Sequence, residues 1–391
     1  MKIALVHDYF SEFGGAERVL RVLSDMFPDA PIYTAFKVKG SLMDKSFTDR
    51  KVHESFLAPI LRMGKLYSPL RFLAPLVWSS FDFSEYDLVI ASSSWFITRG
   101  FKVGKHTKVI CYCHTPPRYL YGYETSINVM KYWPVRVYAT IVNHFLRMYD
   151  FWSAQKVDQF IANSEEVRAR IQKFYRKEAV VIYPPVEVKK IAAVAAELRT
   201  KDISKLATKV VEQKEEFFLL VSRLVGGKGI EEAAEAANRI GFKLRVVGEA
   251  AGYSKVRDRV RDRGGNNLEL LGRVGDEELY QLYAQAKGFI ALARNEDFGM
   301  TVVEAQAAGT PVIAYNGGGF RETVIDPSAN SGQVPTGLLI NDVSLEGLKR
   351  ALGKFERIKW QKGEIQENAK RFSRENFEKK ITKAVSSVMK G

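Results

Sequence analysis

The stretch from Gly288 to Gly319, GFIALARNEDFGMTVVEAQAAGTPVIAYNGGG, constrains the fold of this chain more than any other part of it. Phe289, Ile290, Ala291, Leu292 and Ala293 form an apolar run short enough for a buried parallel strand. A polar loop with Asn295, Glu296 and Asp297 follows, then Phe298 and Gly299. From about Met300 the spacing predicts a helix, with Val302, Val303, Gln306 and Ala307 on one face. Gly309 ends it, and Thr310-Pro311 leads into a second apolar run, Val312 to Tyr315. Strand, acidic loop, helix and strand make a unit of a parallel α/β sheet.

In such sheets ligands bind at the carboxyl ends of the strands. The unpaired N–H groups of a helix start attract an anion or the oxygens of a sugar. Glu296 and Glu304, with seven residues between them, are placed to accept hydrogen bonds from the hydroxyls of one ligand. Acids near a helix start also favour the helix dipole, so the pair alone decides little. The whole string does more: EDFGMTVVEAQAAGTPVIAYNGGG resembles the donor-site signature of the retaining family 4 glycosyltransferases, enzymes of the GT-B fold. The resemblance implies that Glu296 and the backbone after it (Phe298, Gly299, Met300, Thr301) hold a donor sugar, and that Glu304 binds the ribose.

A length of 391 residues accommodates two domains with full cores, and 46% hydrophobic residues is ordinary for a globular protein. No apolar run reaches the length of a membrane span, and MKIALVHDYF reads as a strand rather than a signal peptide. A cytoplasmic location, peripheral on the inner face of the cell membrane, is expected. Cys111 and Cys113 are two apart in an apolar run and share one face of a strand, which suits buried free thiols in a reducing compartment.

Net charge is +14, and residues 1–190 carry 27 Lys/Arg against 18 Asp/Glu. Two stretches, 51–80 and 128–152, mix aromatics with Arg62, Lys65, Arg71, Lys131, Arg136 and Arg147, and Tyr132 and Trp133 stand in the second. Basic aromatic segments suit an anionic membrane surface, although their apolar faces also suit a core. Nucleic acid is not expected as a partner, since no recognised binding module is present.

Lys2 to Asp8 reads as the first strand, followed by Gly14 and Gly15 and a helix from Arg18 to Met26. A G-x-G-x-x-G fingerprint is absent. The family resemblance assigns Gly14 and Gly15 to a loop near the donor phosphates and the acceptor. Lys108 to Cys113 is another strand, ending at His114 in CHTPPRYLYGY. That string is similar to the mannosyltransferases of O-antigen-type synthesis and implies a donor-sugar contact for His114. Asn163-Ser164-Glu165-Glu166 reads as a capped helix start.

Phe217 to Ser222 is a buried strand, with Arg223 and Lys228 following in SRLVGGKGIEEAAEAA. The Arg-x4-Lys-Gly pattern resembles the family's basic pair, which offsets the charge of a departing diphosphate. No Asp-x-Asp occurs in the chain, in keeping with transfer that needs no metal cofactor. Arg273 and Val274, after NNLELLG, are candidate contacts of the nucleoside base by the same resemblance.

The expected fold is therefore α/β: GT-B, two doubly wound Rossmann-like domains facing across a cleft. Residues 1–187, joined by the C-terminal helix of about 372–391, would form the acceptor side, and residues 188–371 the donor side. The resemblance implies a retaining hexosyltransferase. GDP-mannose is the preferred nucleotide-sugar donor, with a UDP- or ADP-sugar as the alternative. A saccharide or polyprenol-linked saccharide is the preferred acceptor. A non-catalytic nucleotide-sugar sensor and a basic nucleic-acid-binding protein are the readings from other classes.

Overall fold

A computed structural model describes residues 1–63, 68–123, 133–207, 215–249, 256–328 and 332–390. Lys65, Lys131 and Tyr132, and the parts of the 51–80 and 128–152 stretches around them, lie outside the described residues, as do residues 208–214. The described residues fall into two compact units, one of residues 1–123, 133–185 and 375–390 and one of residues 186–374.

The first unit is built on seven parallel strands: β1 (Ile3–His7), β2 (Ile32–Thr34), β3 (Val52–Glu54), β4 (Leu88–Ser93), β5 (Lys108–Cys113), β6 (Gln159–Ala162) and β7 (Ala179–Val181). Their order across the sheet is β3-β2-β1-β4-β5-β6-β7. Both faces are covered, so the strands read as continuous apolar runs whose alternate residues enter different cores. Leu5, Ile90, Ile110, Tyr112 and Ile161 pack on one side; Ala4, Val6, Val89, Ala91, Cys111 and Cys113 pack on the other. The two cysteines do share a face, both buried and free.

The C-terminal helix Arg374–Lys390 contributes Phe377, Ile381 and Val385 to the core of this first unit, beside Leu5 and Tyr112. Burying those three side chains stabilises the docking by on the order of 5–9 kcal/mol, an upper figure for an extended reference chain. Ser164 caps the helix Glu165–Tyr175: its Oγ accepts from Val167 N–H at 3.0 Å.

One local expectation needs correcting. The first helix is Gly15–Met26 and does not wait for Arg18. Glu17 closes the extra turn by accepting from Gly14 N–H at 2.8 Å, supplying from inside the helix the partner that a capping side chain would give. The 51–80 stretch, read as a basic aromatic segment, divides among several short elements. It contains β3, the short helices Ala58–Arg62 and Ala74–Ser79 and the 3-10 helix Pro69–Leu73, each with a proline in its first turn. Proline is pre-set for that position, so these prolines start elements rather than merely interrupt one.

The second unit has six parallel strands: β8 (Phe217–Val221), β9 (Lys243–Val247), β10 (Leu268–Gly272), β11 (Gly288–Ala291), β12 (Val312–Tyr315) and β13 (Gly337–Ile340). Their order is β10-β9-β8-β11-β12-β13. The molecule thus holds two Rossmann-like sheets in two α/β domains.

Candidate active site

In the second unit the chain winds outward from β8 to one edge and from β11 to the other. The gap between the carboxyl ends of β8 and β11 is therefore the switch point, where two loops diverge and leave a crevice. Arg223 and Lys228 lie in the loop after β8, and Glu296 in the loop after β11. Lys228 Nζ donates to Glu296 Oε2 at 2.6 Å. Their side chains are 23% and 22% exposed, so the pair is partly shielded yet reachable from solvent. Arg223 is exposed at the start of its loop, where its carbonyl accepts from Val225 N–H at 2.9 Å.

The Glu296 loop is held by backbone. Gly299, with φ of +92°, caps the helix Met300–Ala307, and a Cβ there would lie 2.6 Å from the Phe320 ring. Gly318, at φ +56°, passes so close that a Cβ would stand 2.1 Å from the Glu296 carbonyl oxygen. The next residue, Gly319, donates its N–H to that oxygen at 3.0 Å. Only glycine fits both the left-handed backbone and this approach. Phe298 is buried with its ring edge-on to Phe372. Met300 and Thr301 open the helix, where N–H groups have no acceptor one turn earlier.

Glu304 lies one turn further in and is buried, its Oε2 accepting from Tyr283 O–H at 2.8 Å. The two glutamates are thus differently placed, Glu296 partly exposed and Glu304 anchored within the unit. Arg273, exposed, and Val274, half-buried, follow β10 at the sheet edge, two strands from the Lys228–Glu296 pair.

The first unit has its own switch point, between β1 and β4. His114, buried just beyond β5, has its Nε2 2.8 Å from Ser92 Oγ at the end of β4. The same Oγ lies 3.0 Å from Nδ1 of His7, the last residue of β1. His7 Nε2 in turn is 3.5 Å from Glu17 Oε1, an electrostatic contact longer than a well-formed hydrogen bond. The other Glu17 oxygen holds the Gly14 N–H. A line of polar groups therefore joins His114 to the Gly14-Gly15 turn. With one proton and two lone pairs, the Ser92 hydroxyl can bridge the rings in more than one tautomer. Burial pushes the Glu17 carboxyl up, but the His7 ring and the backbone N–H groups beside it more than offset this, leaving its pKa below the usual carboxylate value.

Asp8 stitches this switch point shut. Its carboxylate accepts from the backbone N–H groups of Ser94, Trp95 and Phe96, the Trp95 bond being 2.6 Å, and from the hydroxyls of Ser94 and Thr98. Sequence reasoning singled out neither Asp8 and His7 nor Ser92 and Glu17. The His-Asp pair at a strand end was a signal, but its meaning depends on which strand lies alongside. Among the described residues, no group of three or more His, Cys, Asp or Glu is arranged to hold a metal ion.

Two family models match this chain, one over each half. Residues 13–190 match Glycosyltransferase Family 4, and residues 202–375 match Glycosyl transferases group 1. Together the two matches support a glycosyltransferase of the GT-B fold, with a family 4 domain followed by a group 1 domain. An uncharacterized glycosyltransferase of Methanocaldococcus jannaschii is 29% identical over 44% of this chain and 47% of its own length. The alpha-1,3/1,6-mannosyltransferase ALG2 of Dictyostelium discoideum is 22% identical over 65% of each. The chain thus spans about half to two thirds of the length of these curated relatives. Among solved structures, Anabaena Alr3699/HepE in complex with UDP and glucose shares the fold, with a TM-score of 0.66 at 18% identity. That likeness covers 99% of this chain and 100% of the other.

Proposed function

We propose that this protein transfers a hexose from a nucleoside diphosphate sugar to an acceptor hydroxyl, with retention of anomeric configuration and without a metal cofactor. The Lys228–Glu296 pair at the β8/β11 switch point carries the reading. It sets a fixed cation and a fixed carboxylate where a strand-end ligand would bind. As the bond to the sugar breaks, the leaving diphosphate gains charge, and Lys228 with Arg223 stabilises it there. The start of the Met300–Ala307 helix adds N–H groups of the same sign. Glu296 accepts hydrogen bonds from the sugar hydroxyls and orients it, and is not the nucleophile. Glu304, steadied by Tyr283, takes the ribose.

GDP-mannose is the preferred donor, on the CHTPPRYLYGY likeness. The mannosyltransferase among the relatives supports it, while the UDP-bound structural neighbour favours a UDP-sugar as the second reading. A polyprenol-linked saccharide is the preferred acceptor, on the basic aromatic segments of the first domain. The test is a thermal-shift panel of GDP, UDP, ADP and their sugars with EDTA present. A ligand that binds only the folded state raises the melting temperature by mass action. A selective rise with GDP and GDP-mannose is expected, with hydrolysis of the donor as the follow-up assay. Arg223→Ala should lower kcat by about ten- to hundredfold, the worth of one charge-assisted contact. A UDP-selective rise would move the donor assignment, and full activity of Arg223→Ala would remove Arg223 from the reaction.

A further inference from the structure

We infer that the outward face of the Trp133–Gln155 helix, with the adjoining residues 69–79, is a docking surface for an anionic lipid bilayer. The inference goes beyond the transferase reading and stands apart from it, since donor binding by the second domain survives whether or not the surface holds.

A surface helix normally turns its apolar stripe inward and its polar side to water. This one turns its large apolar side chains outward, while half of its buried residues are polar. Ala139, Asn143, Leu146, Asp150, Ser153 and Ala154 are its buried residues. Trp133, Val137, Ile141, Phe145, Met148 and Trp152 are exposed, and Trp133, Phe145 and Trp152 have 69%, 65% and 64% of their surface open. At ~100° per residue these six fall within an arc of about 120°, roughly opposite the buried set. Eleven of the seventeen exposed large apolar side chains among the described residues belong to this helix or to residues 56–76.

The two segments adjoin. Tyr138 O–H donates to the Pro69 carbonyl, Arg71 Nη2 donates to Asn143 Oδ1 at 3.1 Å, and the Arg71 guanidinium stacks on Tyr138. Phe72 and Leu76, both about half exposed, are carried by the segment so fixed.

Charge selects the occupant. Neither residues 55–81 nor residues 125–149 contain an Asp or a Glu. Arg136 and Arg147 are exposed along one flank of the stripe, and Asp150, the one acid of the helix, is buried in an ion pair with Arg99. An apolar stripe with a one-sided cationic flank matches acyl chains beneath negative headgroups: the rings enter the interface and the guanidiniums stay at the phosphates. No helix among the described residues is long and apolar enough to cross a membrane, so this helix lies on the surface rather than through it.

The experiment is co-sedimentation of the full chain with vesicles of phosphatidylcholine, with and without phosphatidylglycerol. Binding to the phosphatidylglycerol vesicles at low salt is expected, with a blue shift of tryptophan emission from Trp133 and Trp152. Ile141→Glu with Phe145→Glu should reduce partitioning by about tenfold or more while leaving the melting temperature unchanged, since both sites are exposed. Arg136→Gln should cost about fivefold at low salt and little at high salt. The inference is overturned if the chain stays in the supernatant with anionic vesicles, or if the double variant sediments like the parent. It is equally overturned if the chain is a dimer that the double variant converts to monomer without either binding vesicles, because the face would then cover a second copy.

Discussion

Glu17 shows how a single side chain links two parts of the first domain's switch point. One oxygen closes the first turn of its helix on Gly14, and the other faces the His7 ring. Because its folded pKa lies below the unfolded one, the carboxylate contributes stability that is complete above the unfolded value and is lost as pH falls through the folded value. Melting temperature should therefore fall below about pH 4.5, the ordinary glutamate region, and Glu17→Gln should flatten that part of the profile. Identical acid limbs in parent and variant would contradict the assignment. At this scale the sequence was unevenly informative. Glu296, Lys228 and the glycine run could be picked out because each sits in a local string that resembles a family motif. The His114–Ser92–His7–Glu17 line could not, because it joins strand ends whose adjacency depends on sheet order. Gly318 was part of the Gly288–Gly319 stretch, but its job of passing against the Glu296 carbonyl is visible only once the turn is folded.

Among the elements, the Trp133–Gln155 helix depends on one buried ion pair. Asp150, fully buried, pairs with Arg99 and accepts from Tyr121 O–H at 2.7 Å and from Tyr175 O–H at 3.3 Å. Burial drives the Asp150 carboxyl upward, and the guanidinium with the two phenols opposes it. Asp150→Ala would strand the Arg99 charge, so a loss of about 3–5 kcal/mol in urea unfolding is expected. A loss under 1 kcal/mol would mean that water reaches the arginine. The same contacts explain much of the CHTPPRYLYGY string. Tyr121 binds Asp150, the Tyr119 carbonyl accepts from Asn143 at 3.1 Å, and Arg170 ties Thr115 to its own helix at 3.0 Å. Most of that motif fastens helices to the sheet, which leaves His114 as its member aligned with the polar line at the switch point. Element existence was readable from apolar runs and their punctuation. Helix starts were readable where a capping side chain precedes them, as at Ser164, but not at Gly15, where the closing partner lies inside the helix.

On the scale of the whole molecule, the alternation of apolar runs and helical spacing was enough to predict two doubly wound parallel sheets, and both are present. The same alternation left strand order open, and strand order is what brings the loops after β8 and β11 together at one switch point. The net charge of +14 was legible as a demand for an anionic partner, while the exposed apolar face of the Trp133–Gln155 helix could be seen only in the folded chain. The proposed transfer requires a nucleoside diphosphate to bind at the β8/β11 switch point through Lys228. Calorimetric titration of GDP and UDP into the parent protein and Lys228→Ala, with EDTA present, addresses it most directly. Saturable binding of one nucleotide to the parent is predicted, weakened by about 1.5–3 kcal/mol, roughly ten- to hundredfold, in Lys228→Ala. Equal affinity in parent and variant, or no binding of either nucleotide, would contradict it.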